Sequence, residues 1–181
     1  SCAVRGYDQL PRIPGSHYLI YGSGTMGLMM AELARVNGAA SVSIVDLNKE
    51  KLVTAKALGF THVATSADQF DQPRGFDVVI DCTGVVAAIK DGLKHVMPGG
   101  TFLQFGVANH DAKVEIEPFW IYNKEITIVG SMAVLHSFDR AVELFANGVL
   151  NADVMISDRY PLDQYETALQ AFKSGKGRKT I

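Results

Sequence analysis

The sequence predicts an α/β protein with a doubly wound, parallel six-stranded sheet and helices on both faces. Short apolar stretches of strand length alternate with longer helical stretches along residues 17–147. The strand stretches are apolar at consecutive positions, which is typical of strands covered on both faces. Because ligands of such sheets bind beyond the carboxyl ends of the strands, the residues that follow each strand form the candidate site.

Each element is predicted from its local pattern. The predicted strands are residues 17–21, 41–45, 61–64, 76–81, 101–107 and 125–129. The predicted helices are residues 28–36, 47–58, 85–96, 118–123, 137–147 and 162–172, and residues 1–10 resemble the end of another helix. Gly59 and Gly148 end two of these helices, and Ser137 is the expected N-cap of a third. The remaining predictions are a loop at residues 66–75, a turn at 97–100, an extended segment at 155–160 and a basic, flexible end at 175–179.

A glycine-rich turn, GSGTMG, follows the first predicted strand and opens a helix. Gly22 allows the chain to turn sharply, and Gly24 has no side chain, so a pyrophosphate can approach the backbone. Gly27 allows the helix to pack close to the sheet. The free N–H groups near Thr25 and Met26, at the helix N-terminus, are suited to phosphate oxygens.

The second predicted strand ends at Asp46, about twenty residues beyond the glycines, where a carboxylate accepts hydrogen bonds from the adenosine ribose. Strand, turn, helix, strand and acid together form the Rossmann dinucleotide-binding pattern. The negative charge of Asp46 repels a 2′-phosphate, and Leu47 offers no cation for one, so the pattern favours NAD over NADP. Three alternatives remain: a βα turn that binds nothing, an S-adenosylmethionine site, and a capping role for Asp46 in the helix that begins near Asn48.

Composition excludes several classes of partner. The chain has 181 residues, a net charge of −2 and no basic block, so nucleic acid and anionic membrane surfaces are not expected partners. No apolar stretch reaches membrane-spanning length. Cys2 and Cys82 do not indicate a disulfide framework, so we expect a cytoplasmic protein. The N-terminal residues lack an initiator methionine and a cap, so we expect a piece of a longer protein.

Several stretches taken together carry a family resemblance. They are the glycine turn, VDLNKEK at residues 45–51, residues 77–84, residues 98–107, residues 125–131 and the tail from residue 160 to 177. In this order and spacing the chain resembles the cofactor-binding half of a zinc-dependent medium-chain alcohol or polyol (sorbitol-like) dehydrogenase. The resemblance implies a linker helix at residues 1–14, an NAD-binding domain at 15–134 and a segment at 135–181 that returns to a catalytic domain.

The same resemblance implies further cofactor contacts. Lys51 matches a position that reaches the ribose edge, although an exposed helix lysine is the alternative. Thr83 and Gly84 are interpreted as the floor beneath the adenosine. The nicotinamide carboxamide is expected to meet the backbone of two strand ends, at Phe105, Gly106 and Val107 and at Ser131 and Met132. Apart from Lys51, the alternative for these residues is ordinary packing at strand ends.

We expect no catalytic residue and no metal ligand in this chain. The zinc ligands of the family lie in an N-terminal domain, so the resemblance implies zinc in the intact enzyme, bound by residues outside this chain. Cys82 is interpreted as a small buried hydrophobe. The five histidines show no ligand spacing.

The predicted function is NAD binding within an enzyme that oxidises an alcohol or polyol by hydride transfer to NAD. One alternative is a zinc-free quinone reductase of the same superfamily, against which Asp46 argues. Another is a stand-alone nucleotide-binding regulatory module, against which the tail at residues 160–179 argues; a methyltransferase is more distant. The predicted edge strand at residues 125–129 could pair with a second copy, so a homo-oligomer is expected.

Overall fold

The computed structural model describes residues 1–133, 135–150, 155–174 and 181. Its six strands form one sheet in the order β3-β2-β1-β4-β5-β6, and every neighbouring pair is parallel. The strands are β1 (His17–Tyr21), β2 (Ser41–Val45), β3 (His62–Ala64), β4 (Phe76–Asp81), β5 (Val96–Gln104) and β6 (Thr127–Gly130). This is the order of a Rossmann fold, with the change of direction between β1 and β4, so the predicted fold class is confirmed.

Seven α-helices and two short 3₁₀ turns are assigned within the described residues. The helices are α1 (Cys2–Tyr7), α2 (Thr25–Val36), α3 (Lys49–Ala57), α4 (Val86–Lys94), α5 (Pro118–Lys124), α6 (Phe138–Ala146) and α7 (Tyr165–Lys173). The 3₁₀ turns are Ala67–Gln69 and Leu162–Gln164. None of the helices in these parts of the chain is long and apolar enough to cross a membrane.

The sheet separates two apolar cores. Along β1, Tyr18 and Ile20 pack into one core with α1, α2 and α3, while Leu19 and Tyr21 pack into the other with α4 and α5. Because successive side chains of a strand point to opposite faces, this arrangement explains why the strands are apolar at consecutive positions. Both faces of the sheet are therefore covered, and the carboxyl edge is where a ligand could bind.

The fifth strand differs from its prediction at both ends. Residues 97–100, predicted as a turn, lie within β5, which begins at Val96 opposite Phe76 and resumes regular pairing at Thr101 opposite Val78. The irregularity accommodates a proline and two glycines without ending the strand. At the other end β5 stops at Gln104 instead of continuing to Val107. The reason is that the N–H groups of Phe105 and Gly106 both turn back to the carbonyl oxygen of Asp81.

At two further element ends, one prediction was wrong in detail, and the other, Ser137 as an N-cap, was confirmed in position only. The sixth strand begins at Thr127, because Glu125 closes α5 in a left-handed conformation with φ of 53°. Ser137 does precede α6, but its hydroxyl makes no capping hydrogen bond. That hydroxyl instead donates to the carbonyl oxygen of Ser1 at 3.1 Å, joining α6 to the start of the chain. The predicted flexible end at residues 175–179 lies outside the described residues.

Candidate functional site

The glycine-rich turn has the geometry that its sequence predicts. Gly22 has a φ of +98°, which favours glycine. A Cβ at Gly27 would lie 1.8 Å from the carbonyl oxygen of Gly22, so the first turn of α2 packs directly against the end of β1. A Cβ at Gly24 would meet nothing within 4 Å, so the middle of the turn faces open space. Thr25 and Met26 form the first turn of α2 beside this opening.

Asp46 holds the glycine turn. Its Oδ2 accepts hydrogen bonds from the Ser23 N–H at 2.8 Å and the Ser23 hydroxyl at 3.1 Å. Its Oδ1 accepts from the Asn48 N–H at 2.8 Å. The N-cap of α3 is Asn48, whose side chain accepts from the Glu50 N–H, so Asp46 is not the cap. The carboxylate is thereby fixed at the carboxyl edge of the sheet with its side chain only partly buried.

A cavity of about 740 Å³ opens between the ends of β1, β2, β3 and β4. Five of the predicted cofactor residues line this cavity: Gly22, Gly24, Asp46, Lys51 and Thr83. The rest of the lining combines apolar and polar side chains: Tyr21, Val45, Leu47, Thr65, Ser66, Cys82, Val85, Ala87, Ala88 and Asp91. The predicted nicotinamide-side residues do not line this cavity.

A second feature is the completely buried carboxylate of Asp81 at the end of β4, whose backbone carbonyl oxygen accepts from the N–H groups of Phe105 and Gly106. Its Oδ1 accepts from the Thr83 N–H at 3.0 Å and the Thr83 hydroxyl at 2.6 Å. Its Oδ2 accepts from the Gly84 N–H at 2.9 Å and the Gln104 amide at 2.8 Å. The same Gln104 amide donates to the Gly106 carbonyl oxygen at 2.7 Å. Four donors, and no cation among the described residues, therefore stabilise this carboxylate, and together they tie the end of β4 to the end of β5.

The loops after β4 and β5 approach each other closely at two glycines. A Cβ at Gly84 would lie 2.1 Å from the Val107 carbonyl oxygen, and one at Gly106 would lie 2.3 Å from the Gly84 nitrogen. These two glycines therefore meet a packing requirement whether or not a ligand binds. Val107 and Met132 point outward, with 93% and 86% of their surface exposed.

Ser131, just beyond β6, has a buried hydroxyl without a hydrogen-bond partner among the described residues. Its backbone N–H donates to the Gln104 carbonyl oxygen at 3.3 Å. An unpaired buried hydroxyl costs free energy, so a polar ligand group at this strand end would relieve the cost. The ring of Phe105 packs against Gly6 of α1, in the apolar core on that face of the sheet.

The reactivity of Cys82 and the capacity of this chain to bind a metal ion are judged from the neighbouring side chains. Burial raises the pKa of the Cys82 thiol, and the carboxylate of Asp81 raises it further. The thiol therefore stays protonated near neutral pH and is a poor nucleophile. Within the described residues, no group of three or more histidine, cysteine, aspartate or glutamate side chains is arranged to hold a metal ion.

Sequence reasoning missed several residues of this site. Ser23 was given no role in the sequence analysis, yet it is completely buried and its hydroxyl donates to Asp46. Asp81 was treated as the last residue of an apolar strand. A charged residue that ends such a strand is a signal that could have identified it, because a buried carboxylate requires donors. Tyr21 and Asp91 lie 70 residues apart, so no local pattern links them.

Comparison with known proteins agrees with this geometry. The family model described as zinc-binding dehydrogenase matches residues 25–147. D-arabinitol dehydrogenase 1 from Uromyces fabae is 36% identical over 185 residues, which cover 96% of this chain and 53% of that protein. D-altritol 5-dehydrogenase from Agrobacterium fabrum strain C58 is 31% identical over 147 residues, covering 81% and 44%. This chain thus spans about half the length of the curated relatives it matches.

A solved structure shows the same likeness in three dimensions. A Sinorhizobium meliloti 1021 protein, classed with the zinc-binding dehydrogenases and solved bound to NADP, superimposes with a TM-score of 0.87. It is 32% identical to this chain, and the match covers 93% of this chain and 52% of that one. The glycine turn, the strand order and the family match lead to one conclusion: this chain belongs to the zinc-binding dehydrogenase family.

Proposed function

We propose that this chain is the NAD-binding part of a dehydrogenase that oxidises an alcohol or polyol. The observation that carries the proposal is the cavity shared by the open glycine turn and the Asp46 carboxylate. A helix N-terminus beside an open turn suits a pyrophosphate, and an oriented carboxylate suits a ribose diol. The two named relatives are polyol dehydrogenases, which supports a polyol as the substrate class.

The residues fit a dinucleotide along the whole carboxyl edge. Gly24 leaves room for phosphates, and the N–H groups near Thr25 and Met26 would bind them. Asp46 would accept the ribose hydroxyls, with Lys51 and Thr83 on the same cavity wall. The backbone at residues 105–107 and 131–132 would meet the nicotinamide carboxamide, and the unpaired Ser131 hydroxyl supports a polar partner there.

NAD, when bound, supplies a nicotinamide ring that accepts a hydride. The work of this chain is to hold that ring in one orientation, because reactions gain most when the reacting groups are pre-positioned. The Asp81 carboxylate and Gln104 maintain the spacing of the β4 and β5 ends that would flank the ring. The family name implies zinc. Within the described residues no group of three or more histidine, cysteine, aspartate or glutamate side chains could hold a metal ion, so we propose no zinc ligand among them.

We further propose the domain division and the assembly. Residues 15–134 would form the cofactor domain, while residues 1–14 and 135–181 would contact a catalytic domain. Exposed apolar side chains in the latter segment support its contact with a catalytic domain; Leu162 is 89%, Phe138 68% and Phe172 68% exposed.

The edge strand β6 exposes Ile128 at 40%, which supports pairing with a second copy. Two free cysteines are consistent with a cytoplasmic location.

The test is a fluorescence titration with NADH and with NADPH, on the wild type and on Asp46→Ala. We expect tighter binding of NADH, because the Asp46 carboxylate repels a 2′-phosphate. The Asp46→Ala variant should bind NADH about tenfold more weakly, the loss expected for a charge-assisted hydrogen bond. The preference of this variant for NADH over NADPH should also be smaller than that of the wild type.

NADPH must be included in the titration, because the similar Sinorhizobium meliloti structure was solved bound to NADP. Equal affinity for both dinucleotides in the wild type would refute the preference for NAD. The Asp111→Asn variant is a control, because that carboxylate lies 91% exposed on a loop away from the cavity. A quinone reductase of the same superfamily would instead show tighter NADPH binding, and a regulatory module would bind NADH without any contribution to catalysis.

A further inference from the structure

The cavity beside the glycine turn contains a second carboxylate, which the proposed function does not use. Asp91 lies on α4 and lines the same cavity as Asp46. Its side chain keeps 38% of its surface exposed. A carboxylate in the wall of a cavity attracts hydrogen-bond donors and repels acceptors.

One oxygen of Asp91 is already anchored. The Tyr21 hydroxyl donates to Oδ2 at 2.7 Å, and Tyr21 itself is only 4% exposed. Burial raises the pKa of Tyr21, and the hydrogen bond to Asp91 raises it further, so the hydroxyl keeps its proton. The Nε2 atom of His95 lies 3.8 Å from the same oxygen, beyond hydrogen-bond range. Among the described residues, Oδ1 has no hydrogen-bond partner, which leaves it available to a ligand.

The walls around this carboxylate suit a flat aromatic base. Leu47 and Val85 line the cavity and are 87% and 56% exposed. Ala87 and Ala88 also line it, and their short side chains occupy little of the cavity. Apolar surfaces of this kind gain free energy when a ring covers them. If Asp46 accepts the ribose hydroxyls, the base attached to that ribose lies in the same cavity, and Asp91 forms part of its wall.

We propose that Asp91 is a specificity-determining residue that selects adenine by accepting a hydrogen bond from its 6-amino group; this inference rests on the proposed dinucleotide function. An ionised carboxylate can only accept hydrogen bonds. Adenine presents a donor at position 6, whereas hypoxanthine and guanine present an acceptor there. A 6-oxo base therefore places two acceptors against each other, and the site rejects it. Tyr21 is the positioning residue that holds Asp91 in orientation.

The experiment compares NADH with reduced nicotinamide hypoxanthine dinucleotide, which differs from NADH only in the base, where a 6-oxo group and a proton on N1 replace the 6-amino group. Both ligands carry the same reduced nicotinamide, so its fluorescence reports binding of either to the 181-residue chain. We expect the wild type to bind NADH about tenfold more tightly. In Asp91→Asn the amide oxygen can still accept from Tyr21, while its NH₂ group turns to the base as a donor. The preference for NADH should then vanish or reverse.

Asp68→Asn is the matched control. The Asp68 carboxylate lies 3.7 Å from the same His95 ring but does not line the cavity, so its variant should keep the wild-type preference. Equal affinities of the wild type for the two dinucleotides would overturn the inference without any variant, even if Asp91→Asn failed to fold. An undiminished preference in folded Asp91→Asn would overturn it as well. Failure of the wild type to bind any dinucleotide would instead refute the proposed function.

Discussion

Replacing Asp81 by asparagine tests the network that joins the ends of β4 and β5. The carboxylate accepts two hydrogen bonds on each oxygen, from Thr83 on one side and from Gly84 and Gln104 on the other. Asparagine has nearly the same shape, but one of its two terminal groups is a donor. Whichever way the amide is turned, two of the four donors face an NH₂ group.

The magnitude follows from those two lost contacts. A hydrogen bond to a charged group contributes about 1.5–3 kcal/mol, so the loss is about 3–6 kcal/mol. Removing a buried charge that has no cationic partner in the described part of the chain offsets part of this loss, so we expect about 3 kcal/mol less free energy of unfolding. Natural domains have about 5–15 kcal/mol in total. At about 2–4 °C for each kcal/mol, the melting temperature should fall by about 6–12 °C.

Urea unfolding followed by far-ultraviolet circular dichroism measures this change. Asp111→Asn makes the same chemical substitution at an exposed site and should stay within about 0.5 kcal/mol of the wild type. The reasoning would be refuted if Asp81→Asn were as stable as Asp111→Asn. That result would mean that the four donors find other partners or water.

Two further predictions concern α2 and α1. Gly27→Ala introduces a Cβ 1.8 Å from the Gly22 carbonyl oxygen, so it should lower the melting temperature and weaken NADH binding. Thermal shift and titration measure the two effects. An unchanged melting temperature and affinity would show that the turn is not closely packed. The Arg140 guanidinium, by its hydrogen bond to Asp8, holds the pKa of that carboxyl below its usual value. The stability that this pairing contributes is present above the unfolded pKa of about 3.9 and is lost as pH falls through the lower folded pKa. Urea midpoints of Asp8→Asn should therefore decline less steeply below about pH 4 than those of the wild type, and equal slopes would contradict this assignment.

The strands and the glycine turn could be predicted because their signals are local. Consecutive apolar residues mark strands that are buried on both faces, and the spacing from Gly22 to Asp46 depends only on one strand, one helix and one turn. The parallel, doubly wound arrangement of the sheet was predicted from the same pattern, whereas its strand order comes from the structure. Errors fell at element ends, such as Glu125 and residues 97–100, where a backbone hydrogen bond or a strand irregularity decides the boundary.

The finer parts of the site could not be predicted because they depend on contacts distant in sequence. Asp81 and Gln104 are 23 residues apart, and Tyr21 and Asp91 are 70 apart, so only the folded sheet brings each pair together. Gly84 and Gly106 were interpreted through the cofactor, yet the structure gives each a packing reason of its own. Their role toward a ligand stays a prediction, as does that of the other proposed cofactor residues.

The most direct test of the account is to map bound NADH onto the chain by proton–nitrogen correlation spectra. Assigned amide signals would be followed while NADH, and separately ADP-ribose, is added. We predict that both ligands shift the amides of residues 22–27 and 46–48, and that NADH additionally shifts those of residues 105–107 and 131–132. Shifts confined to another surface, or no shifts with either ligand, would contradict the claim that the carboxyl edge of this sheet binds a dinucleotide.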